Sequence, residues 1–347
     1  MKKKLGVVAD HRYFDHAITL ESLECPARLR DVYGAIRRPP YVDHLRAYPS
    51  REIAAEELLA VHSQFYIDQI RSAGVHANPY SYDKDTYLME DSLATAQLAA
   101  GGCLVLAEAI MSGEVDRGFA LVRPPGHHAD TGRGSGFCIL NNVALTARYL
   151  IDRHGLERIL IVDFDVHHGN GTQEIFYQED KVLYFSIHEE HLFPFSGGVG
   201  EFGGQAGYGY NINIPIPAQY GDAEFNYIFG KAVQNIAEQY LPQIILVSAG
   251  FDGHLEERIS STRLTTGGYR GLAETLKYLA GEYGNNRLLY VLEGGYNIAS
   301  LRDSILATLD ALMQAKVRKP GFALAPRADH LLKKSIYKVL GEKWTIL

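Results

Sequence analysis

Residues 159–171 read ILIVDFDVHHGNG, and the first four of them narrow what the chain can become. Ile159–Val162 is apolar at every position and mostly β-branched, as in a strand buried on both faces of a parallel sheet. Side chains alternate along a strand, so Asp163, Asp165 and His167 fall on one side as the chain leaves the sheet at its carboxyl end. Open α/β sheets bind ligands at that end. Two carboxylates and an imidazole there suit a hard-to-borderline divalent cation, with Asp165 and His167 as oxygen and nitrogen ligands.

Similar β-like runs recur at Leu5–Ala9, Phe119–Val122, Val182–Ile187, Tyr210–Ile216, Ile244–Val247 and Leu288–Leu292. Helix-length segments separate many of them, as parallel connections require. These are Glu56–Ser72, Ser92–Met111 (Ala-rich and interrupted by Gly101-Gly102), Ala223–Tyr240, Leu272–Tyr283 and Ser300–Ala315. No internal repeat or low-complexity linker interrupts the pattern, so one α/β domain over residues 1–347 is expected. The loops Arg123–Gly136, His188–Tyr208 and Gly253–Thr266 follow strands and should crowd one rim of the sheet.

Composition excludes several classes of function. The net charge of −7 disfavours nucleic acid as a partner, because phosphate binding needs a basic patch, and fits a cationic or neutral substrate. Three cysteines, Cys25, Cys103 and Cys138, cannot form a disulfide framework and point to a reducing compartment. After Lys2–Lys4 only Leu5–Ala9 is apolar, too short for a signal-peptide core. No run is expected to match the roughly 20 apolar residues of a membrane span. A cytoplasmic protein without membrane partners is the expectation, and a homo-oligomer is compatible with it.

Three further segments place polar residues just past strands. Arg123–His128 (RPPGHH) presents a stiff Pro-Pro-Gly turn and a tandem His pair. Ile244–His254 ends in Gly250, Phe251 and Asp252, and Leu288–Asn297 ends in Gly294-Gly295-Tyr296. Singly, each has a plain explanation: a surface His pair, a helix-capping acid, a turn. Taken together they make Asp165, His167 and Asp252 a metal set with an open position for water, which a metal would activate near neutral pH. His127 and His128 supply proton transfer, and the Tyr296 hydroxyl is a donor for a developing oxyanion. Asp163 is placed to orient a His from behind.

RPPGHH, GFCILNN (Gly136–Asn142), DFDVHHGNGTQ (Asp163–Gln173), SAGFD (Ser248–Asp252) and LEGGYN (Leu292–Asn297) resemble, in order, the motifs of the zinc-dependent histone deacetylase superfamily. The wording is similar to its class II branch, and ECPARL (Glu24–Leu29) and LLAVHSQFYIDQI (Leu58–Ile70) extend the likeness. The resemblance implies the arginase/deacetylase fold: a single three-layer α/β/α domain around an eight-stranded, mostly parallel sheet. It implies Zn²⁺ on Asp165, His167 and Asp252, although this ligand set also accepts Fe²⁺. It implies His128 as general base and then acid, His127 as electrostatic partner, and Tyr296 polarising the acyl carbonyl. Asp163 would bond His127 and Asn170 would bond His128. Phe137 and Phe193 would wall a tunnel for an aliphatic stem, the Gly136 carbonyl would accept the scissile N–H, and Asp85 would hold substrate backbone at the rim. A structural K⁺ or Na⁺ would sit on Asp163, Asp165, His167, Ser186 and Ile187. Arg28 would line an internal cavity behind the site.

A carboxylate favours the imidazolium form of a facing His more than an amide does. His127, facing Asp163, should therefore carry the positive charge, and His128, facing Asn170, should stay neutral.

The chain departs from the family at GHLEERISS (Gly253–Ser261), where many relatives have an Asp-Pro turn. Acetylpolyamine-selective relatives carry a gatekeeper Glu near this rim; by offset the position is Ile259, with Glu256 or Glu257 as substitutes if the loop shifts. FPFSGG (Phe193–Gly198) is also reordered. The expected substrate is therefore an acyl-lysine peptide or protein, with an acetylated polyamine or small amine as the alternative. A ureohydrolase of the same fold would need further Asp ligands, but His168-Gly169 and Gly253-His254 stand where they would fall. Retention of every ligand, both His and Tyr296 speaks against a module that only binds acyl-lysine.

Overall fold

Ile159–Asp163 forms a strand buried at all five positions, so both of its faces are covered. It is one of eight in the main sheet of the described residues: β1 (Leu5–Val8), β2 (Leu45–Tyr48), β3 (Arg117–Ala120), β4 (Ile159–Asp163), β5 (Val182–Glu189), β6 (Asn211–Ile216), β7 (Ile244–Ala249) and β8 (Leu288–Leu292). The computed structural model describes residues 4–17, 21–76 and 80–345. The eight strands make one sheet in the order β2-β1-β3-β8-β7-β4-β5-β6, and every neighbouring pair is parallel.

Helices Ser92–Met111 and Asn142–His154 pack together on the sheet, as do Thr266–Tyr283, Ile298–Met313 and Ala27–Ile36. The result is a single α/β domain of three layers. β3, β8, β7 and β4 are adjacent in space but far apart in sequence, so the chain order switches between them. Their carboxyl ends form the crevice where such sheets place ligands. Asp163 lies in register with Ser186 of β5 on one side and Ser248 of β7 on the other.

Several elements differ from the sequence expectation. β2 reads LRAY and buries only its leucine, so an edge strand with one buried side chain gave no run to detect. The single helix expected over Glu56–Ser72 is two, Ala55–Leu59 and Gln64–His76. The break holds His62, whose Nδ1 meets the Asp130 carbonyl at 2.8 Å while its Nε2 accepts the Asn141 N–H at 3.0 Å. Helices Ala27–Ile36 and Asn142–His154 were not anticipated. The second begins where Asn141 Oδ1 accepts the Ala144 N–H at 3.0 Å, so an Asn of the GFCILNN motif is a helix cap.

Ser92–Met111 corrects the membrane count. By length and composition this helix could cross a bilayer, with a mean hydropathy of 1.6 in its most apolar window, yet 72% of that window is buried inside the protein. It serves here as a core helix. Its Gly101 explains the Gly-Gly interruption: a Cβ there would sit 1.9 Å from the Arg51 carbonyl oxygen. Gly101→Ala should therefore destabilise the fold towards the upper end of the roughly 1–3 kcal/mol typical of overpacking. Urea unfolding midpoints would show it; a loss well under 1 kcal/mol would mean that the Arg51–Ile53 segment moves aside freely.

Candidate active site

The loop leaving β4 turns back on itself through its own carboxylates. Asp163 Oδ1 accepts the Asp165 N–H at 3.1 Å, and Asp165 Oδ1 accepts the His167 N–H at 2.9 Å. Asp252, past β7, reaches across to accept the Val166 N–H at 3.1 Å, and the Gly294 N–H, past β8, donates to Asp165 Oδ2 at 2.9 Å. Three strand ends are thereby tied into one framework. Within it, His167 Nδ1 lies 3.1 Å from Asp165 Oδ1 and 3.1 Å from Asp252 Oδ2.

These donor atoms converge within 4.8 Å of one another. Asp165 and Asp252 are buried, and His167 is nearly so. The backbone is cleared around them: a Cβ at Gly250 would come within 2.1 Å of Asp165 Oδ2, and one at Gly294 within 2.2 Å of Asp252 Oδ2. Two buried carboxylates converging on one point demand positive charge there. Burial alone would lower His167, but its bonds to Asp165 and Asp252 outweigh that and raise it to about 10. Burial and the Asp165 charge push Asp252 up, while Asp165 is driven down against burial by His127 and His167. The oxygen–nitrogen–oxygen set fits a divalent cation, which would take a neutral imidazole in place of the proton.

The two histidines of RPPGHH stand beside this point, their rings 4.0 Å apart. His127 Nδ1 meets Asp163 Oδ2 at 3.1 Å, and His128 Nδ1 meets Asn170 Oδ1 at 2.9 Å. Burial would lower His127, yet the Asp165 and Asp163 carboxylates outweigh it and raise it to about 10. Burial, together with the neighbouring His127 and His167, pushes His128 well below its ordinary value. The division of charge expected from sequence is the one this geometry favours. With Nδ1–H directed at Asn170, the lone pair of His128 lies on Nε2.

The Tyr296 ring lies 5.4 Å from that of Phe137 and 4.9 Å from the Arg28 guanidinium. Burial pushes its phenol well above 10, helped by the Asp252 and Asp165 charges nearby. Phe193 packs edge-on against His128 with centroids 5.1 Å apart, so the reordered FPFSGG segment still brings a phenyl ring to the histidine. Gly136, at φ +51°, runs between these rings: a Cβ there would meet His128 at 2.6 Å and Phe193 at 2.7 Å.

Asp85 is exposed and lines a groove of about 320 Å³ with Leu23, Thr86 and Phe137. Its neighbour Asp83 accepts the Asp85, Thr86 and Gly136 N–H groups and so shapes the loop. Ser186 is buried with its Oγ 2.9 Å from His188 Nδ1, and Ile187 is buried beside it.

Glu293 and Tyr184 carry no mark in the sequence, and Arg28 and Glu257 make bonds that it does not foretell. Buried Glu293 accepts the Gly126 and His127 N–H groups at 2.6 and 3.1 Å and a bond from Ser248 Oγ at 3.1 Å, fixing the His loop to β8. Burial raises its carboxyl to about 7. Tyr184 donates to Asp163 Oδ2 at 2.9 Å, the same oxygen that His127 meets. Arg28 donates to the Gly295 and Glu293 carbonyls at 2.7 and 2.6 Å and to Glu24 at 3.1 Å. Glu257 turns inward to the Tyr296 and Asn297 N–H groups.

Comparison with known proteins agrees with this geometry. Residues 22–312 match the model of the histone deacetylase domain. A probable deacetylase of Archaeoglobus fulgidus is 34% identical over 325 residues, covering 91% of this chain and 89% of that protein. Histone deacetylase clr3 of Schizosaccharomyces pombe is 36% identical over 335 residues, 90% of this chain but 48% of its own length. The crystal structure of the HDA15 HD domain superposes with a TM-score of 0.89 at 32% identity, covering 99% of this chain and 95% of that one. The sheet order is thus that of the arginase/deacetylase fold, and the chain, a hydrolytic deacetylase, belongs to the histone deacetylase family.

Proposed function

We propose that the protein removes acetyl, or another short acyl group, from lysine side chains of peptides or proteins. The observation that carries this is the convergence of Asp165, His167 and Asp252 next to a His128 whose Nε2 is left basic. Zn²⁺ held by those three residues would supply Lewis-acid activation of water and of the acyl carbonyl, and Fe²⁺ would fit the same set. His128 takes the proton of the attacking water and returns it to the leaving amine. His127, held cationic against Asp163, offsets the negative charge that develops beside it. Tyr296 donates its hydroxyl hydrogen to the oxyanion. Phe137 and Phe193 grip the aliphatic stem, and the Gly136 carbonyl receives the scissile N–H. The Asp163, Asp165, His167 and Ile187 carbonyls with Ser186 Oγ would hold K⁺ or Na⁺ beneath the site.

The lysine reading is favoured over the acetylpolyamine reading by Glu257. Its Oε1 is committed to the Tyr296 and Asn297 amides, and half-buried Ile259 stands at the offset position. The acidic groove of Glu21, Asp83 and Asp85 beside Phe137 is what still speaks for a polyamine. kcat/KM on acetyl-lysine peptides against acetylated putrescine, cadaverine and spermidine separates them, with metal content determined on the same samples. Preference for the small amines would overturn the lysine reading.

Asn170→Asp should raise the lower apparent pKa of the kcat/KM profile, because a carboxylate facing Nδ1 stabilises protonated His128. The acid limb then moves to higher pH. An unmoved limb would sink the assignment of His128 as the neutral base.

A further inference from the structure

Tyr296 follows Gly295, which turns at φ +117°, a conformation glycine adopts without strain. The peptide linking the two is held at both edges. Arg28 Nε donates to the Gly295 carbonyl at 2.7 Å, and Glu257 Oε1 accepts the Tyr296 N–H at 2.6 Å. The same Glu257 oxygen accepts the Asn297 N–H at 2.8 Å. These two amides flank the Cα of Tyr296, so one half-buried oxygen fixes the backbone unit from which the phenol projects. Neighbouring bonds brace the arrangement: Asn297 Nδ2 donates to the Glu256 carbonyl at 3.2 Å, and Ser260 Oγ donates to the Asp252 carbonyl at 2.7 Å. One short loop therefore supports both Tyr296 and the ligand Asp252.

We propose that Glu257 is a positioning residue for Tyr296, making the rim loop Gly253–Ser261 a determinant of turnover as well as of substrate access. This rests on the role given to Tyr296 above. A shift of about 1 Å in a reacting group can cost on the order of 10²-fold in rate. Loss of the Glu257 carboxylate should therefore act on kcat, whereas a residue that only lines the mouth would act on KM.

The test uses Glu257→Ala, Glu257→Gln, Tyr296→Phe and the Ala/Phe double variant. Glu257→Ala should lower kcat about 10- to 100-fold with KM within about twofold. Glu257→Gln keeps an acceptor oxygen in place and should stay within about fivefold of wild type. On the Tyr296→Phe background, Glu257→Ala should cost nothing further, since groups that act as one unit are not additive. Hydrogen exchange at the Tyr296 and Asn297 amides should quicken in Glu257→Ala, a readout independent of any substrate.

An equal loss on both backgrounds, a change confined to KM, or unaltered exchange at those amides would overturn the proposal. Full activity of Tyr296→Phe would overturn the underlying role of Tyr296 instead, and is seen before Glu257 is altered.

Discussion

Replacing His128 by Ala should lower kcat/KM by about 10²–10⁴-fold, the contribution of a positioned general acid–base. Metal content and unfolding midpoint should stay close to wild type. The expectation follows from what the imidazole touches. Its Nδ1 is committed to Asn170 at 2.9 Å, its ring lies between His127 and Phe193, and burial beside His127 and His167 keeps it neutral. A neutral, oriented imidazole 6.0 Å from the His167 ring can exchange a proton with a water at the Asp165–His167–Asp252 point. None of its bonds supports the backbone, so little stability should be lost with it. A loss below about tenfold in fully metallated enzyme would move the base role elsewhere, with His127 next in line.

Glu24→Gln should destabilise the protein by about 3–5 kcal/mol, the cost of stranding a buried charge. Glu24, Arg28 and Arg123 are all fully buried. Arg123 grips the carboxylate with two bonds, Nε to Oε1 at 2.8 Å and Nη2 to Oε2 at 2.7 Å, and Arg28 adds a third at 3.1 Å. The amide would leave two guanidinium groups facing a neutral partner. Burial alone would raise the Glu24 carboxyl, but Arg123 and then Arg28 outweigh it and hold it at about 2, below its ordinary 4.5.

A depressed folded-state pKa contributes stability that is complete above the unfolded value and is lost as pH falls towards the folded one. The window here runs from about pH 4.5 down to about 2 and spans about 3 kcal/mol. Wild type should accordingly lose stability more steeply than Glu24→Gln between pH 5 and 3, measured by urea unfolding. Parallel slopes would show that the pair contributes no linkage.

The candidate metal residues, the His pair and seven of the eight sheet strands could be read from sequence for one reason. Each lies on, or just past, a short apolar run, and a parallel sheet puts such ends together. The Asp163 and Asn170 partners of the His pair came from the family resemblance. What could not be read was contributed by side chains far away in the chain. Glu24 and Arg123 are 99 residues apart, and no local pattern marks their pairing. Glu293 looks like a turn acid, and Tyr184 looks like an ordinary aromatic of a strand; only the three-dimensional register sets them beneath His127 and Asp163. The break at His62 was hidden because an apolar periodicity continues across it, while the imidazole inside it bridges Asp130 and Asn141. Glu257 was considered as a group facing substrate, but the backbone amides of Tyr296 claimed it first.

The Arg28 bonds to Gly295 and Glu293 span 267 and 265 residues. A chain synthesised from its amino end therefore carries Arg28, Glu24 and Arg123 well before the carbonyls that complete Arg28's bonding exist. During that interval the strands β1 to β7 can pair only around a missing place, because β8 belongs between β3 and β7. A nascent chain that paired its strands as they emerged would hold a split sheet and a half-satisfied guanidinium, the kind of state that exposes unpaired edges. Glu293 to Tyr296, which follow β8, join the site only when that strand is inserted, however early the others have formed.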